Sequence, residues 1–318
     1  MIFEKLYFEL YEKWVVSKLK NIDCIHVLQD HCNEVIRYSN KHGIKVVYEQ
    51  IAIFDTLKKS TWLEEAKKFG YELEMADRIY SDENIKRQVE NLKIADVIIA
   101  ASKNTAKSLI DYVPSEKIKI ISYGGNPEAV NFNTLEKSYK VKKENRTLKI
   151  LYIGSFNLLK GVQYVVQAAE DLSDKDIHFT FIGKPSYEED KKWIQKIESM
   201  NNCTYIESVP HVSVNDYYLK NDVFIFQPLC EGFGMVTLEA MACGVPCIVS
   251  EGGIGVVNDR VDGLINKDCD ISQIKNNIMH FYNNRDDIEK MGLNAYETIK
   301  RHTWEAYAKG IASVYESL

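Results

Sequence analysis

The chain has 318 residues, about twice the length of a common single domain, so we expect two domains. Hydrophobic residues make up 45% and charged residues 27% of the sequence, which are ordinary values for a globular protein and exclude a disordered or fibrous chain. The formal net charge is −6, and this lack of basic surplus argues against nucleic-acid binding driven by phosphate neutralisation.

The N-terminal segment predicts an amphipathic helix. Its apolar face is made of Phe3, Leu6, Tyr7, Leu10, Trp14 and Val15, which recur at helical spacing. We favour packing of this helix on the sheet of its own domain. Docking to a membrane surface and pairing with a second subunit are alternatives that stay open.

Short β-branched and aliphatic runs then alternate with longer segments of helical period. The strand candidates are 23–28, 44–48, 95–100 and 117–122 in the first half, and 148–153, 178–182, 204–207, 222–227 and 245–250 in the second. These runs are nearly continuous rather than alternating, which is typical of strands covered on both faces. The pattern predicts an α/β protein with parallel sheets built from βαβ units.

The stretch 134–146 interrupts this alternation because it is rich in lysine and glutamate and short of large aliphatic residues. We therefore expect an N-terminal domain at 1–135, a linker at 136–147 and a C-terminal domain at 148–300. A terminal helix is expected at 301–318. Such a helix can cap its own domain or cross back to the first one, and crossing back is the arrangement that we expect.

Two features bear on location. The seven cysteines are odd in number and scattered without the paired spacing of a metal site, which indicates thiols in a reducing compartment. No apolar run approaches 18 residues, and no signal peptide opens the chain. The sequence therefore predicts a cytoplasmic protein, or one in peripheral contact with the inner face of a membrane.

The segment 222–263 carries the densest chemistry. Gly232 and Gly234 allow the backbone to approach a ligand closely just before a helix that begins near Met235. A helix start presents unpaired N–H groups and the positive end of the helix dipole, which suits an anion. In open α/β sheets, ligands bind outside the carboxyl ends of the strands, where this loop falls.

Two carboxylates flank this helix start. Glu231 precedes the helix, and Glu239 lies just over one turn inside it, with its side chain leaning back towards the N-terminus. A carboxylate placed there can accept two hydrogen bonds from a vicinal diol such as the ribose hydroxyls. Each glutamate alone is better interpreted as a solvated surface acid, and only the combination indicates a site.

The segment EGFGMVTLEAMACGVPCIVS resembles the signature of retaining GT-B glycosyltransferases of family 4, the glycosyl transferases group 1. This resemblance implies two Rossmann-like domains with parallel sheets facing a cleft. It also implies a donor that is a nucleoside-diphosphate sugar linked to UDP or GDP. Glu231 resembles the glutamate that contacts the sugar hydroxyls, and Glu239 resembles the one that binds the nucleotide ribose.

The segment LYIGSFNLLKG resembles the phosphate-binding loop of the same family, with Lys160 at the position of its lysine. The implied catalytic residues are Lys160 and Glu231, because a lysine there would stabilise the charge that develops on the departing diphosphate. The implied donor-binding residues are Gly154, Ser155, Lys160, Gly232, Phe233, Gly234, Met235, Val236, Thr237 and Glu239. The family needs no metal ion or other cofactor, and no Asp-x-Asp pair or His/Cys cluster here is placed to hold a metal.

The chain departs from the family pattern at several positions. Ser155 stands where an arginine is usual, with Lys184 as a weak replacement, and Val256 stands where a glutamate is typical. The acceptor-side domain is shortened, since only four strand candidates precede the linker. The histidine that often follows the second strand is absent; Glu49 or Gln50 occupies that neighbourhood, and His26 and His31 are the nearest histidines.

Three functions are consistent with these residues. The first is a metal-independent hexosyltransferase that moves a sugar, with retention of configuration, to a polysaccharide, glycolipid or glycoconjugate acceptor. The alternative is a nucleotide-sugar-binding subunit that is inactive, or that depends on a partner subunit completing its N-terminal domain. A two-domain epimerase is third, because the acids and histidines that it would need around a cleft are not evident.

Overall fold

The computed structural model describes residues 2–29, 32–253 and 255–318, with side chains from Tyr7 onward. Over these ranges the chain is an α/β protein made of two compact units. The first unit runs to Ser122 and also includes Tyr307–Leu318, and the second unit is Tyr123–Ala306. Both sheets are entirely parallel, which confirms the predicted α/β class.

The first unit contains a sheet with the strand order β1-β2-β3-β4. Its strands are β1 (Cys24–Leu28), β2 (Lys45–Gln50), β3 (Val97–Ala100) and β4 (Ile118–Ile120). Its helices are α1 (Ile2–Lys18), α2 (Asn33–Lys41), α3 (Asp55–Phe69), α4 (Glu74–Ile79), α5 (Asp82–Ile94) and α6 (Lys103–Lys107). All four strands lie at their predicted places.

The second unit contains a six-stranded sheet. Its strands are β5 (Leu148–Ile153), β6 (Ile177–Ile182), β7 (Cys203–Ile206), β8 (Val223–Phe226), β9 (Cys247–Ser250) and β10 (Gly263–Asn266). The helices are α7 (Phe132–Glu144), α8 (Val162–Asp171), α9 (Lys191–Glu198), α10 (Val214–Lys220), α11 (Met235–Ala242), α12 (Ile271–Asn283), α13 (Asp286–Ile299) and α14 (Trp304–Glu316), the last of which continues into the first unit.

The strand order of this second sheet is β7-β6-β5-β8-β9-β10, which is the Rossmann order. The order reverses between β5 and β8, so the chain leaves these neighbouring strands in opposite directions and a crevice forms at their carboxyl ends. Every residue of β8 and β9 is buried, as expected for strands that are covered by helices on both faces. The fold therefore makes the carboxyl ends of β5 and β8 the expected ligand site.

Helix α1 is only partly packed. Its C-terminal half contacts the core of the first unit through Val15, Val16 and, just past its end, Leu19. Tyr7, Leu10 and Trp14 of the predicted apolar face are more than half exposed. Phe3 and Leu6 lie outside the described side chains. Among the residues described, no helix has both the length and the apolar character that crossing a membrane requires.

The predicted linker at 136–147 is corrected by the structure, because α7 occupies most of it. The side chain of Asn131 caps this helix by accepting from the Thr134 N–H at 2.9 Å. Leu135, Tyr139 and Lys142 form its buried face at helical spacing. The sequence pattern concealed the helix because only one of these three residues is aliphatic. The chain passes between the units at Ser122–Tyr123 instead.

The end of α14 belongs to the first unit, where Ile311 and Val314 pack with buried residues of β2 and β3. The Tyr307 hydroxyl donates to the buried carboxylate of Glu49, with O···O distances of 3.0 and 2.9 Å. Burial and this hydrogen bond raise the pKa of Tyr307. Glu49 thus holds the terminal helix in place on the first unit.

The other residues considered beside β2 have structural partners as well. His26 Nε2 lies 3.0 Å from Glu49, and its Nδ1 lies 2.6 Å from the Tyr315 hydroxyl. Gln50 donates to the Gln29 side chain at 2.9 Å. His31 lies outside the described residues.

A buried charge cluster lies at the amino ends of β5 and β8. Lys142 of α7 is 6% exposed, and among the described residues its Nζ has no hydrogen-bond partner. Burial lowers the pKa of Lys142 to about 8, although the nearby charge of Asp222 favours the protonated form. Asp222 is itself buried and accepts from the Lys149 N–H at 2.7 Å and from Arg285 Nη2 at 3.3 Å.

We predict that Lys142→Met stabilises the protein at pH 7. The folded state binds the lysine proton less tightly than the unfolded state, so burying the charged form lowers the free energy of unfolding at every pH below about 8. The stabilisation by Met should be on the order of 3 kcal/mol at pH 7 and should fade between pH 8 and roughly 10.5. Chemical unfolding at several pH values measures it.

The exposed lysine Lys140 on the same helix provides the matched control. Lys140→Met should change the free energy of unfolding by less than about 0.5 kcal/mol at each pH. Equal effects of the two substitutions, or a Lys142→Met effect that does not change with pH, would contradict the assignment of a depressed pKa to Lys142.

Candidate functional site

The loop after β5 lies directly against the end of β8. Gly161 has φ +67°, and a Cβ built at this position would lie 1.8 Å from the carbonyl oxygen of Gln227. Only glycine allows both this left-handed backbone and this close approach. A second contact joins the two loops, since the Leu229 N–H donates to the Leu159 carbonyl at 2.9 Å. The residues that follow β5 and β8 are therefore held together.

Lys160 is positioned by a short 3-10 turn between these loops. The Asn157 side chain caps the turn by accepting from the Lys160 N–H at 3.0 Å. The Lys160 Nζ lies 2.5 Å from Glu231 Oε2 and 5.9 Å from the centre of the Phe226 ring. The two charged side chains are only 30% and 14% exposed, so solvent screens this ion pair less than it would a surface pair.

The loop that carries Glu231 is also fixed from the side of β9. Ser250 ends that strand, and its hydroxyl donates to the Pro228 carbonyl at 2.5 Å. Gly252 packs against the same loop, where a Cβ would lie 2.6 Å from the Pro228 carbonyl oxygen. This packing places Gly252 beneath the loop and helps to hold the loop in position.

Helix α11 begins immediately after this loop. Its N-cap is Gly234, with φ +83°, which provides no side-chain cap for the first N–H groups of the helix. The N–H groups of Met235 and Val236 therefore lie at an uncapped N-terminus, and a polarised helix end of this kind binds anions. Thr237, one residue on, is buried, and its Oγ1 has no hydrogen-bond partner within the described part of the chain.

Glu239 is half-buried one turn further along α11. The Tyr218 hydroxyl donates to its Oε2 at 3.1 Å and lies at the same distance from the Val236 carbonyl oxygen. Burial raises the pKa of Glu239, while the Tyr218 hydrogen bond and the charge of His211 act in the opposite direction. Tyr218 thus fixes one carboxylate oxygen and leaves Oε1 available to a ligand.

A cavity of about 250 Å³ opens beside Glu239 within the second unit. Its lining includes Glu239 and Met235 of α11, His211 and Asn126, and the ring of Trp304. Such a mixture of apolar walls and a few polar groups is typical of small-molecule sites.

The remaining predicted site residues have different surroundings. Phe233 is buried, with its ring centre 5.4 Å from that of Tyr123. Ser155 is exposed, and its carbonyl accepts from the Tyr152 hydroxyl at 3.4 Å. Lys184, the weak replacement for the missing arginine, is exposed and lies 3.7 Å from Glu207. No group of three His, Cys, Asp or Glu side chains suited to a metal ion occurs in the described ranges.

Sequence reasoning missed two partners of this site. Tyr218 lies on α10 and His211 precedes it, both before β8 in the chain and outside the segment with the glycine and glutamate pattern. A lone tyrosine near the end of a short helix reads as a core residue, and Tyr218 is indeed buried. Only its hydroxyl, directed at Glu239, gives it a place in the site.

Comparison with known proteins defines the class. Residues 133–298, more than half of the chain, match the family described as glycosyl transferases group 1. The chain therefore belongs to the glycosyl transferases group 1 family. Over 232 residues it is 30% identical to an uncharacterized glycosyltransferase of Methanocaldococcus jannaschii, and the match covers 70% of this chain and 60% of that protein.

Two further comparisons cover more of the chain. It is 24% identical to N-acetyl-alpha-D-glucosaminyl L-malate synthase of Bacillus anthracis, over 95% of this chain and 76% of that enzyme. The structure of HepE of Anabaena in complex with UDP superposes with a TM-score of 0.76 at 17% identity, covering 96% of this chain and 82% of that one. This likeness confirms the predicted GT-B class of two Rossmann-like domains.

We predict that Gly161→Ala is strongly destabilising. The methyl group would meet the Gln227 carbonyl oxygen and would force a left-handed alanine, so we expect a loss of at least ~3 kcal/mol in the free energy of unfolding. Gly154→Ala in the same loop is the control, because a Cβ there meets its nearest neighbours at 3.4 Å or more. Comparable losses for the two variants would mean that the contact between the loops is not tight.

Proposed function

We propose that this protein is a retaining glycosyltransferase whose second unit binds a nucleoside-diphosphate sugar as the donor. One observation carries the proposal. At the point where the strand order reverses, Lys160 pairs with Glu231 beside the uncapped start of α11. The family membership of residues 133–298 supports the same activity.

Lys160 and the first N–H groups of α11 would bind the diphosphate. Negative charge grows on the β-phosphate as its bond to the sugar C1 breaks, and fixed positive groups directed at that charge lower the barrier. Lys160 is suited to this role because its ammonium group is partly shielded from solvent and already placed by Asn157 and Glu231. These protein groups supply the positive charge, and the proposed reaction uses no metal ion.

Glu239 would bind the nucleoside part of the donor. Its Oε1 is available to accept from a ribose hydroxyl, and the adjoining cavity has walls of the kind that hold a base and a ribose. We propose UDP as the nucleotide, because HepE, which shares the fold, is described in complex with UDP and with UDP-glucose. A GDP-linked donor is the second choice.

Glu231 would orient the transferred sugar. Its carboxylate is held by Lys160 through Oε2, and its other oxygen can accept from a sugar hydroxyl. For the acceptor we propose the hydroxyl of a polysaccharide, a glycolipid or another glycoconjugate, as the sequence resemblance implies.

We predict that UDP and UDP-glucose stabilise the wild type and that Glu239→Gln removes about half or more of this effect. A ligand at 100 times its Kd raises the free energy of unfolding by about 2.7 kcal/mol, which shifts Tm by several degrees. Loss of a charge-assisted hydrogen bond should weaken binding by roughly 10- to 100-fold. Thermal unfolding with UDP, UDP-glucose, GDP and GDP-mannose, followed by calorimetric titration, measures both quantities.

Glu198→Gln is the matched control for this experiment, since Glu198 is an exposed acid on α9 of the same unit. It should bind the selected nucleotide as the wild type does. If no nucleotide or nucleotide sugar shifts Tm, or if Glu239→Gln binds unchanged, the donor site has been assigned to the wrong residues.

We predict that Lys160→Met reduces catalysis more than binding. Removing a group that stabilises transition-state charge should lower kcat by on the order of 10²–10³, while the Kd of the nucleotide changes much less. The rate of UDP release from UDP-glucose, with water or a glycan as the acceptor, gives kcat. Lys160→Arg should recover part of the rate because it restores the charge. A fall in binding alone would make Lys160 only a binding residue.

A further inference from the structure

A larger cavity lies at the opposite end of the second sheet, where strands β5 and β8 begin. It has a volume of about 610 Å³ and is lined by residues of α7, of the turn before β5, and of α12 and α13. Asp222 precedes β8 and Asn145 precedes β5, so both residues lie at the amino ends of these strands. The Lys160–Glu231 pair and α11 follow the carboxyl ends of the same strands, so this cavity is separate from the donor site.

The lining of the cavity carries a surplus of positive charge, unlike the protein as a whole. Within the described part of the chain, its basic side chains are Lys142, Lys143, Arg146 and Arg285, and its acidic side chains are Asp286 and Glu289. Lys143 and Glu289 form an ion pair with an N···O distance of 2.5 Å, so their charges cancel. The remaining cations outnumber the remaining acid.

The two most buried cations of the lining both lie near the carboxylate of Asp222, which pairs with only one of them. Arg285 Nη2 donates to Asp222 at 3.3 Å and, at longer distance, to the carbonyls of Asn145 and Thr147. Lys142 has Asp222 as a nearby charge but makes no ion pair with it. In the described structure, Lys142 Nζ and Arg285 Nη1 are both buried donors without an acceptor.

Buried donors without an acceptor are rare, because leaving one unpaired costs about 1–3 kcal/mol or more for a charged group. Lys142 Nζ lies 5.5 Å from the centre of the Tyr139 ring, but a ring face does not replace a hydrogen-bond acceptor, and both donors lie beside one cavity. Both nitrogens are buried in this structure, so each must turn towards the cavity to meet a partner there. An additional anion in the cavity would satisfy both.

We propose that this cavity binds a small molecule through an oxyanion group, a phosphate or a carboxylate, with Lys142 and Arg285 as its ligands. The lysine side chain has four rotatable bonds, so its ammonium group turns towards the cavity when the anion enters. Arg285 needs less movement, because its guanidinium group is planar and presents several donors. The volume lies in the range that holds small metabolites.

The test uses inorganic phosphate, acetate and chloride as sodium salts at equal ionic strength and pH 7. Thermal unfolding of the wild type should show a Tm several degrees higher in phosphate or acetate than in chloride. The larger of the two shifts tells whether the site prefers a phosphate or a carboxylate. A Tm that is the same in all three salts would overturn the proposal.

Five variants show where the anion binds. Lys142→Met and Lys142→Gln should lose the phosphate or acetate shift, whereas Lys140→Met should keep it. Glu239→Gln and Lys160→Met should also keep it, because they alter only the proposed donor site. A shift that persists in both Lys142 variants, or that disappears in Lys160→Met, would overturn the proposal, since the anion would then bind elsewhere.

Arg146→Gln adds a variant that does not disturb the core, because Arg146 is exposed at the cavity. Its loss of surface charge should weaken anion binding by several-fold in calorimetric titration without changing Tm in chloride. Unchanged binding in this variant, together with loss of folding in both Lys142 variants, would count against the cavity as the binding site.

Discussion

The absence of a side chain at residue 161 is the constraint on which the candidate site depends. Because the backbone there touches the end of β8, the loops that follow two non-consecutive strands form one surface. Lys160 and Glu231, which are 71 residues apart in the sequence, consequently meet. The capped 3-10 turn on one side and the Ser250 hydrogen bond on the other then leave little freedom in either loop.

The second unit separates its charges between the two ends of one sheet. At the carboxyl ends, a lysine and two glutamates surround an uncapped helix start, which suits a ligand that carries both anionic and hydroxyl groups. At the amino ends, Arg285 pairs with the buried Asp222, the buried Lys142 lies nearby, and a larger cavity adjoins them. Parallel strands make this separation simple, because all loops that leave the sheet lie at one edge and all loops that enter it lie at the other.

Features that are local in sequence could be predicted, and features that depend on tertiary contacts could not. The nine predicted strands are all present, because buried parallel strands are continuous apolar runs. Strand β10 was missed, since GLIN offers only two large apolar residues. Glu231 and Glu239 were found as a spaced pair around a glycine loop. The roles of Tyr218 and of the buried Lys142 were not predicted, because the sequence of a helix does not show which distant residue a tyrosine or a lysine contacts.

The first unit is assembled from two distant pieces of the chain. Its sheet is complete by residue 120, yet Ile311 and Val314, which cover Val47 and Ile99, come after the whole of the second unit in the chain. The buried carboxylate of Glu49 likewise gains the hydrogen bond from the Tyr307 hydroxyl only when that part of the chain is present. During translation, the second unit therefore has all its residues available before the first unit can finish its core, which needs residues 307–318. This order reverses the usual N-to-C progression of domain folding.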